Sequence, residues 1–186
     1  MIKSSGNLLR AETSVLLVVD VQERLAPAIA GRARLLANVE RLCRAASRLA
    51  VPIEASEHYP GGLGPTVAEL EAVVPMESRF EKITFSCLGE PGFAARLEAL
   101  GRPQVVVAGC EAHVCVLQSA ISLAEAGYHT YIVADATGSR DPVNAERALA
   151  RMVEAGITAV TTEMVLFEWL ERGDHPAFKD LLKLIK

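Results

Sequence analysis

The sequence lacks most features that mark a secreted, membrane-bound or nucleic-acid-binding protein. It has four cysteines and no Cys-x-x-Cys pair, which argues against a disulfide framework and against a thiolate zinc site. No apolar run approaches the roughly 20 residues of a membrane span, and residues 1–10 lack the pattern of a signal peptide. The formal net charge is -4 without basic runs, so neither a nucleic acid nor a membrane surface is an expected partner. We therefore expect a cytoplasmic protein with free thiols.

Two common groups of functional motif are also missing. The PGGLGP stretch at residues 60–65 is not a GxGxxG fingerprint, and no GK[ST] sequence occurs, so a nucleotide site has little support. A GxSxG elbow is absent as well, which argues against a serine hydrolase of the α/β type.

The length and the apolar content indicate one folded unit with a large core. A chain of 186 residues suits a single domain, which we place at 1–186. Hydrophobic residues make up 51% of the sequence, near the top of the range for soluble domains. This content also favours additional apolar surface that is buried in an oligomer.

Short apolar runs alternate with stretches of helical periodicity, which is typical of βαβ units. Strands are predicted at 15–19, 51–55, 78–83, 104–108, 129–134 and 157–161. Helices are predicted at 32–50, 93–100, 114–126, 143–155, 163–172 and 176–185, with a short helix from a Thr66 cap to Val73. The predicted fold class is α/β: a doubly wound, mostly parallel sheet of five or six strands in a three-layer, Rossmann-like α/β/α sandwich. Ligands of such sheets bind beyond the carboxyl ends of the strands.

Three residues near predicted strand ends carry chemistry. Asp20 directly follows the first strand, and Cys115 lies in the first turn of the helix after 104–108. Backbone amides and the helix dipole lower the pKa of a thiol at such a place, which predicts a thiolate nucleophile. Lys82 would supply a cation beside it. Each residue also has an ordinary structural interpretation: a turn residue for Asp20, a solvated lysine, and a buried apolar cysteine.

Three separated motifs carry a family resemblance. LLVVDVQ, FEKITFS and VVVAGCEAHVCVLQSA, in this order and spacing, resemble the isochorismatase-like hydrolases, which include nicotinamidases, carbamoyl-sarcosine amidohydrolases and isochorismatases. SEHYPGGLGPTV, GCEAHVC and the ending HPAFKDLLKLIK are most similar to the small isochorismatase-domain-containing subgroup. The resemblance implies that Asp20, Lys82 and Cys115 are catalytic and that Gln22 contacts the substrate. Because the family is commonly oligomeric, it also implies a homo-oligomer.

The resemblance further implies thiol-dependent hydrolysis of a small amide or related C–N bond through a thioester on Cys115. Backbone amides of Glu111 and Cys115 would form the oxyanion hole, beside a non-proline cis peptide bond between Cys110 and Glu111. Two alternatives remain open: hydrolysis of a vinyl ether or an ester, and a non-catalytic oligomeric interaction protein that retains the site.

The sequence departs from two better-known branches of this family. Nicotinamidases carry an Asp-x-His set and a further metal-binding His, whereas residues 54–64 offer only Glu57 and His58. We therefore expect no metal and no other cofactor. Isochorismatases need no thiol, so the cysteine argues against isochorismate as the substrate.

The expected substrate is a small molecule held against an apolar wall of Tyr59, Leu63 and Phe85. Arg140 follows the fifth strand, where it either meets a substrate carboxylate or forms a salt bridge.

Overall fold

The computed structural model describes residues 8–186. Most of residues 1–10, in which we expect no signal peptide, therefore lie outside the described residues. Six strands form one sheet: β1 (Ser14–Val19), β2 (Ile53–His58), β3 (Arg79–Lys82), β4 (Gln104–Cys110), β5 (His129–Gly138) and β6 (Thr158–Val160). All neighbouring strands are parallel, and their order is β3-β2-β1-β4-β5-β6. The predicted doubly wound sheet is confirmed.

Helices cover both faces of the sheet. They are α1 (Arg32–Arg48), α2 (Pro60–Leu63), α3 (Pro91–Ala99), α4 (Leu117–Glu125), α5 (Pro142–Glu154), α6 (Thr162–Leu170) and α7 (Phe178–Ile185). One apolar cluster joins the sheet to α1, α6 and α7, and the other joins it to α3, α4 and α5. These two clusters are the interfaces of a three-layer sandwich. No helix in residues 8–186 combines the length and the apolarity needed to cross a membrane.

The two central strands are fully buried because helices cover both of their faces. Side chains of β1 alternate between the two clusters: Leu16 and Val18 face α1, whereas Leu17 and Val19 face the α3–α5 layer. A strand with two buried faces needs a continuous aliphatic run, and VLLVV supplies it.

The main active-site crevice of such a fold lies where the strand order reverses. The chain runs from β1 outward through β2 to β3, and then returns to the other side of β1 as β4. The loops that leave β1 and β4 therefore diverge and leave a crevice at their carboxyl ends. Asp20 follows β1 there, and Glu111 follows β4.

Several local predictions need correction. Thr66 does not cap a helix: its backbone N–H and its hydroxyl both donate to Oε1 of Glu57, at 2.8 and 2.6 Å. Beyond it lies only a short 3-10 turn over Ala68–Leu70. The Gly- and Pro-rich residues 60–65, which lie in no predicted element, contain the single helical turn α2. The second strand spans Ile53–His58 rather than 51–55: its last three residues are polar and lack an apolar pattern, and Ser56 and Glu57 hydrogen-bond to Asp20 and Thr66.

Candidate active site

Asp20 leaves the regular pattern of β1 and turns its side chain toward β2. Strand alternation would place it on the face of Val18, but its φ of 49° is in the left-handed region, which Asp tolerates better than most residues. The fully buried carboxylate accepts a hydrogen bond from Oγ of Ser56 at 2.6 Å. This change of direction puts Asp20 on the α3–α5 side of the sheet.

Lys82 ends β3 and extends to the same point. Its Nζ donates to Oδ2 of Asp20 at 2.8 Å and to the carbonyls of Thr84 and Phe85 at 3.2 and 3.3 Å. Both side chains of this ion pair have no solvent exposure. Burial alone would lower the pKa of Lys82, but the carboxylate of Asp20 outweighs it and the pKa is raised. The lysine therefore stays protonated.

Cys115 completes the group from a π-helical turn (Ala112–Val116) that precedes α4. It is 5% exposed, and its thiol interacts with the side chains of Asp20 and Lys82. Burial and then the Asp20 carboxylate raise the pKa of the thiol, against an opposing effect of Lys82. The expectation of a thiolate at rest is therefore wrong.

The physical reason is the charge already present in the site. The ion pair of Asp20 and Lys82 is neutral as a unit, so a thiolate would add an uncompensated buried negative charge. The resting arrangement is a neutral thiol beside a carboxylate. In such a pair the carboxylate can take the thiol proton at the moment the sulfur attacks.

The loop between β4 and the π-helical turn brings the cysteine into place. The peptide bond between Cys110 and Glu111 is cis, as predicted. The carbonyl of Glu111 accepts the N–H groups of Val114 and Val116 at 3.1 and 3.2 Å, which winds the loop into the helix. Oε2 of Glu111 accepts two hydrogen bonds from Arg140, one from its backbone N–H and one from Nε, both at 3.0 Å. Of the two roles considered for Arg140, the salt bridge is therefore the one observed.

A close approach of two strands accompanies this geometry. Gly109 has a φ of 118°, and a Cβ there would overlap the carbonyl oxygen of Val19 and lie 2.7 Å from its nitrogen. Only glycine fits this position. The backbone of β4 therefore contacts β1 one residue before Asp20.

The side chain of Gln22, for which a substrate contact stays a prediction, holds a loop. Its Nε2 donates to the carbonyls of His58 and Gly64 at 3.0 and 2.7 Å, and its Oε1 accepts the N–H of His58 at 2.8 Å. The side chain is fully buried. Gln22 thus positions the backbone that leaves β2.

The structure links the expected apolar residues to the site to different degrees. Phe85 is 49% exposed, its carbonyl contacts Lys82, and its ring centroid lies 5.4 Å from that of His58. Tyr59 is 58% exposed and its ring packs over Gly62, while Leu63 ends α2. Phe85 therefore borders the buried group directly, whereas Tyr59 and Leu63 lie on the loop that Gln22 holds.

Three residues that lie near the site were not predicted from the sequence to belong to it. Ser56 contacts Asp20, and His58 packs on Phe85. The predicted strand ended at residue 55; a longer strand would have placed both side chains on one face by alternation. Cys87 is fully buried in the same layer, and burial raises its pKa to about 11.

Glu57 and His58 do not form a common ligand set. They are consecutive in β2 and so point to opposite faces, and Oε1 of Glu57 is engaged by Thr66. Within residues 8–186, no three His, Cys, Asp or Glu side chains converge in a way that could hold a metal ion.

Comparison with known proteins identifies the family. The isochorismatase domain model matches residues 14–164. The chain belongs to the isochorismatase domain family. It is similar to isochorismatase domain-containing protein 1 of Danio rerio, with 39% identity over 185 residues, covering 100% of this chain and 65% of the relative. The chain thus spans about two thirds of the length of that curated relative.

Solved structures share the whole fold. A MAR1 ribonuclease from Caenorhabditis elegans superposes with a TM-score of 0.90 at 34% identity, over 96% of this chain and 92% of that one. YcaC from Pseudomonas aeruginosa, described with covalent acrylamide, gives 0.91 at 25% identity over 98% and 93%. YcaC from Escherichia coli, described as an octameric hydrolase of unknown specificity, gives 0.87 at 24% identity over 97% of both chains.

Proposed function

We propose that this protein is a thiol-dependent hydrolase of a small amide or related C–N bond. The observation that carries the proposal is the buried contact of the Cys115 thiol with the Asp20–Lys82 ion pair. Nucleophilic catalysis needs a nucleophile within reach of a base that a third group holds in place. Ser56 and Lys82 hold the carboxylate of Asp20 through one oxygen each.

Acylation begins from the neutral thiol. The sulfur of Cys115 bonds to the carbonyl carbon while Asp20 takes the thiol proton, and the carbonyl electron pair moves onto oxygen. We assign the backbone N–H groups of Glu111 and Cys115 as donors to that oxygen, since the first turn of a helix leaves N–H groups without helical partners. The C–N bond then breaks, and the leaving nitrogen takes the proton from Asp20.

Deacylation reverses the roles. Water bonds to the thioester carbon while Asp20 takes one of its protons, and the C–S bond breaks with its electron pair on sulfur. The sulfur then recovers the proton from Asp20, and the carboxylic acid leaves. Lys82 stays charged throughout and keeps an opposite charge beside the base.

Two features of the relatives bear on the choice of substrate. YcaC from Pseudomonas aeruginosa holds covalent acrylamide, a small primary amide, which supports an amide-sized site with a reactive group. The Caenorhabditis relative is called a ribonuclease, but a net charge of -4 without basic runs does not favour binding of a polyanion here.

We further expect a homo-oligomer. Leu8, Met164 and Phe167 leave 68, 45 and 41% of their surface exposed, and large exposed apolar side chains favour association. Light scattering on a size-exclusion column measures this directly, and a strictly monomeric protein at micromolar concentration contradicts it.

A small-amide screen tests the proposed activity. Wild type and Cys115→Ser are assayed side by side for release of ammonia or amine, together with matched esters and vinyl ethers. We expect at least one amide to be hydrolysed by wild type alone. Hydrolysis of esters or vinyl ethers without any amide supports the alternative reaction, and no turnover of any compound supports a non-catalytic protein.

A further inference from the structure

One polar atom next to the site has no partner in the part of the chain that the structure describes. Nδ1 of His58 is buried and makes no hydrogen bond there. Burial and the charge of Lys82 lower the pKa of this imidazole, although Asp20 opposes them, so the ring is neutral. A neutral imidazole has one N–H and one lone pair. The carbonyl of Thr84, which contacts the ring, can use only the N–H.

The position of His58 in the sheet places its side chain beside the buried trio. His58 lies two residues after Ser56 in β2 and therefore shares its face, the face that holds Asp20. In the sheet it is the register partner of Lys82. Its ring packs on that of Phe85, whose carbonyl contacts the same lysine. His58 thus stands between the buried trio and the exposed apolar residue at the edge of the site.

We propose that Nδ1 of His58 accepts a hydrogen bond from an N–H group of the substrate. The inference rests on the proposed function, because it assigns a substrate class to the site of Cys115. An unpaired buried acceptor is unfavourable, so a ligand that donates to it is favoured over one of the same shape that cannot. Primary amides carry such an N–H group, whereas esters and vinyl ethers have none at the corresponding position.

Two thiol-reactive probes of similar shape isolate this hydrogen bond. Acrylamide and methyl acrylate both add a thiol across their double bond, but only acrylamide has N–H groups. The rate of Cys115 modification is followed by peptide mass spectrometry for wild type, His58→Leu and His58→Asn. Leucine removes the acceptor, whereas asparagine keeps an oxygen near the place of Nδ1. Cys115→Ser identifies the adduct, and the ratio of the two probe rates cancels their difference in intrinsic reactivity.

The leucine variant is expected to slow acrylamide relative to methyl acrylate by about two- to tenfold, the size of one neutral hydrogen bond. The asparagine variant should restore most of that ratio. An equal effect on both probes overturns the inference, because it indicates a change in packing alone, and so does a failure of acrylamide to modify Cys115.

The labelling assay involves no hydrolysis, so the two proposals fail separately. A changed probe ratio without amide turnover rejects the hydrolase and keeps the role of His58. Amide turnover with an unchanged probe ratio keeps the hydrolase and rejects the role of His58.

Discussion

Replacing Lys82 by methionine should strongly destabilise the protein. The substitution keeps a long unbranched side chain but removes the cation beside Asp20, in a pair with no solvent exposure. The carboxylate then keeps the hydrogen bond from Ser56 and the neighbouring Cys115 thiol, and neither group carries a positive charge. Breaking a buried ion pair by removing one partner costs about 3–5 kcal/mol, because the other charge remains buried and uncompensated. That is a large part of the roughly 5–15 kcal/mol that stabilises a typical domain.

The assay is urea unfolding followed by fluorescence. The sequence has one tryptophan, Trp169, which is 2% exposed and donates from Nε1 to the hydroxyl of Ser14, so unfolding changes its surroundings. Arg44→Met is the matched control. Arg44 pairs with Glu40 one turn away on α1, both side chains are about half exposed, and such pairs contribute only about 0.3–0.5 kcal/mol.

The double variant Asp20→Asn/Lys82→Met separates loss of charge balance from loss of packing. It removes both charges, so it should be more stable than Lys82→Met alone. The ion-pair explanation fails if Lys82→Met unfolds at the same urea concentration as Arg44→Met, or if the double variant is less stable than the single one. Either result means that the carboxylate of Asp20 does not depend on this lysine.

Three further predictions concern the site and its support. Because the pKa of Cys115 is raised, its thiol is protonated at pH 7.5, and thiolate forms only as the pH rises well above the usual ~8.5. Absorbance at 240 nm should then be equal for wild type and Cys115→Ser at that pH; an excess in wild type contradicts this. Gly109→Ala should lower the free energy of unfolding in urea by more than about 2 kcal/mol. The control Gly92→Ala, where a Cβ meets nothing within 4 Å, should lower it by no more than about 1 kcal/mol. Equal losses of stability contradict the close approach of the strands. Gln22→Leu should speed hydrogen exchange at residues 58–64, because it leaves three backbone groups of His58 and Gly64 without their partner. Unchanged exchange there contradicts its role.

The sheet was predictable because buried parallel strands have a simple sequence signal. Aliphatic runs mark β1 and β4, and Gly101, Gly127 and Gly156 mark the ends of α3, α4 and α5. The same rule failed at β2, whose last residues are Ser56, Glu57 and His58. Consecutive polar residues do not show the apolar pattern that identifies a strand. The predicted strand therefore ended before Ser56, whose hydroxyl contacts Asp20.

The membership of the site was more predictable than its electrostatics. The family resemblance pointed to Asp20, Lys82 and Cys115, whose local sequence alone left ordinary structural interpretations open, and the structure brings the three side chains together. The protonation state of the thiol depends on its burial and on the charged side chains beside it. Both are set by the folded site rather than by the local sequence. The local dipole argument predicted a thiolate, but burial of the thiol and then the carboxylate of Asp20 raise its pKa. The roles of Gln22 and His58 likewise depend on contacts between distant segments.

Detection of the acyl-enzyme itself would decide whether Cys115 is the nucleophile. An amide found in the screen is mixed with wild type, quenched in acid during turnover, and the intact protein and its peptides are weighed. The thioester mechanism predicts an added acyl mass on the peptide that contains Cys115, its removal by hydroxylamine, and no adduct or turnover in Cys115→Ser. Turnover in Cys115→Ser at the rate of wild type, with no adduct in either protein, contradicts nucleophilic catalysis by this cysteine.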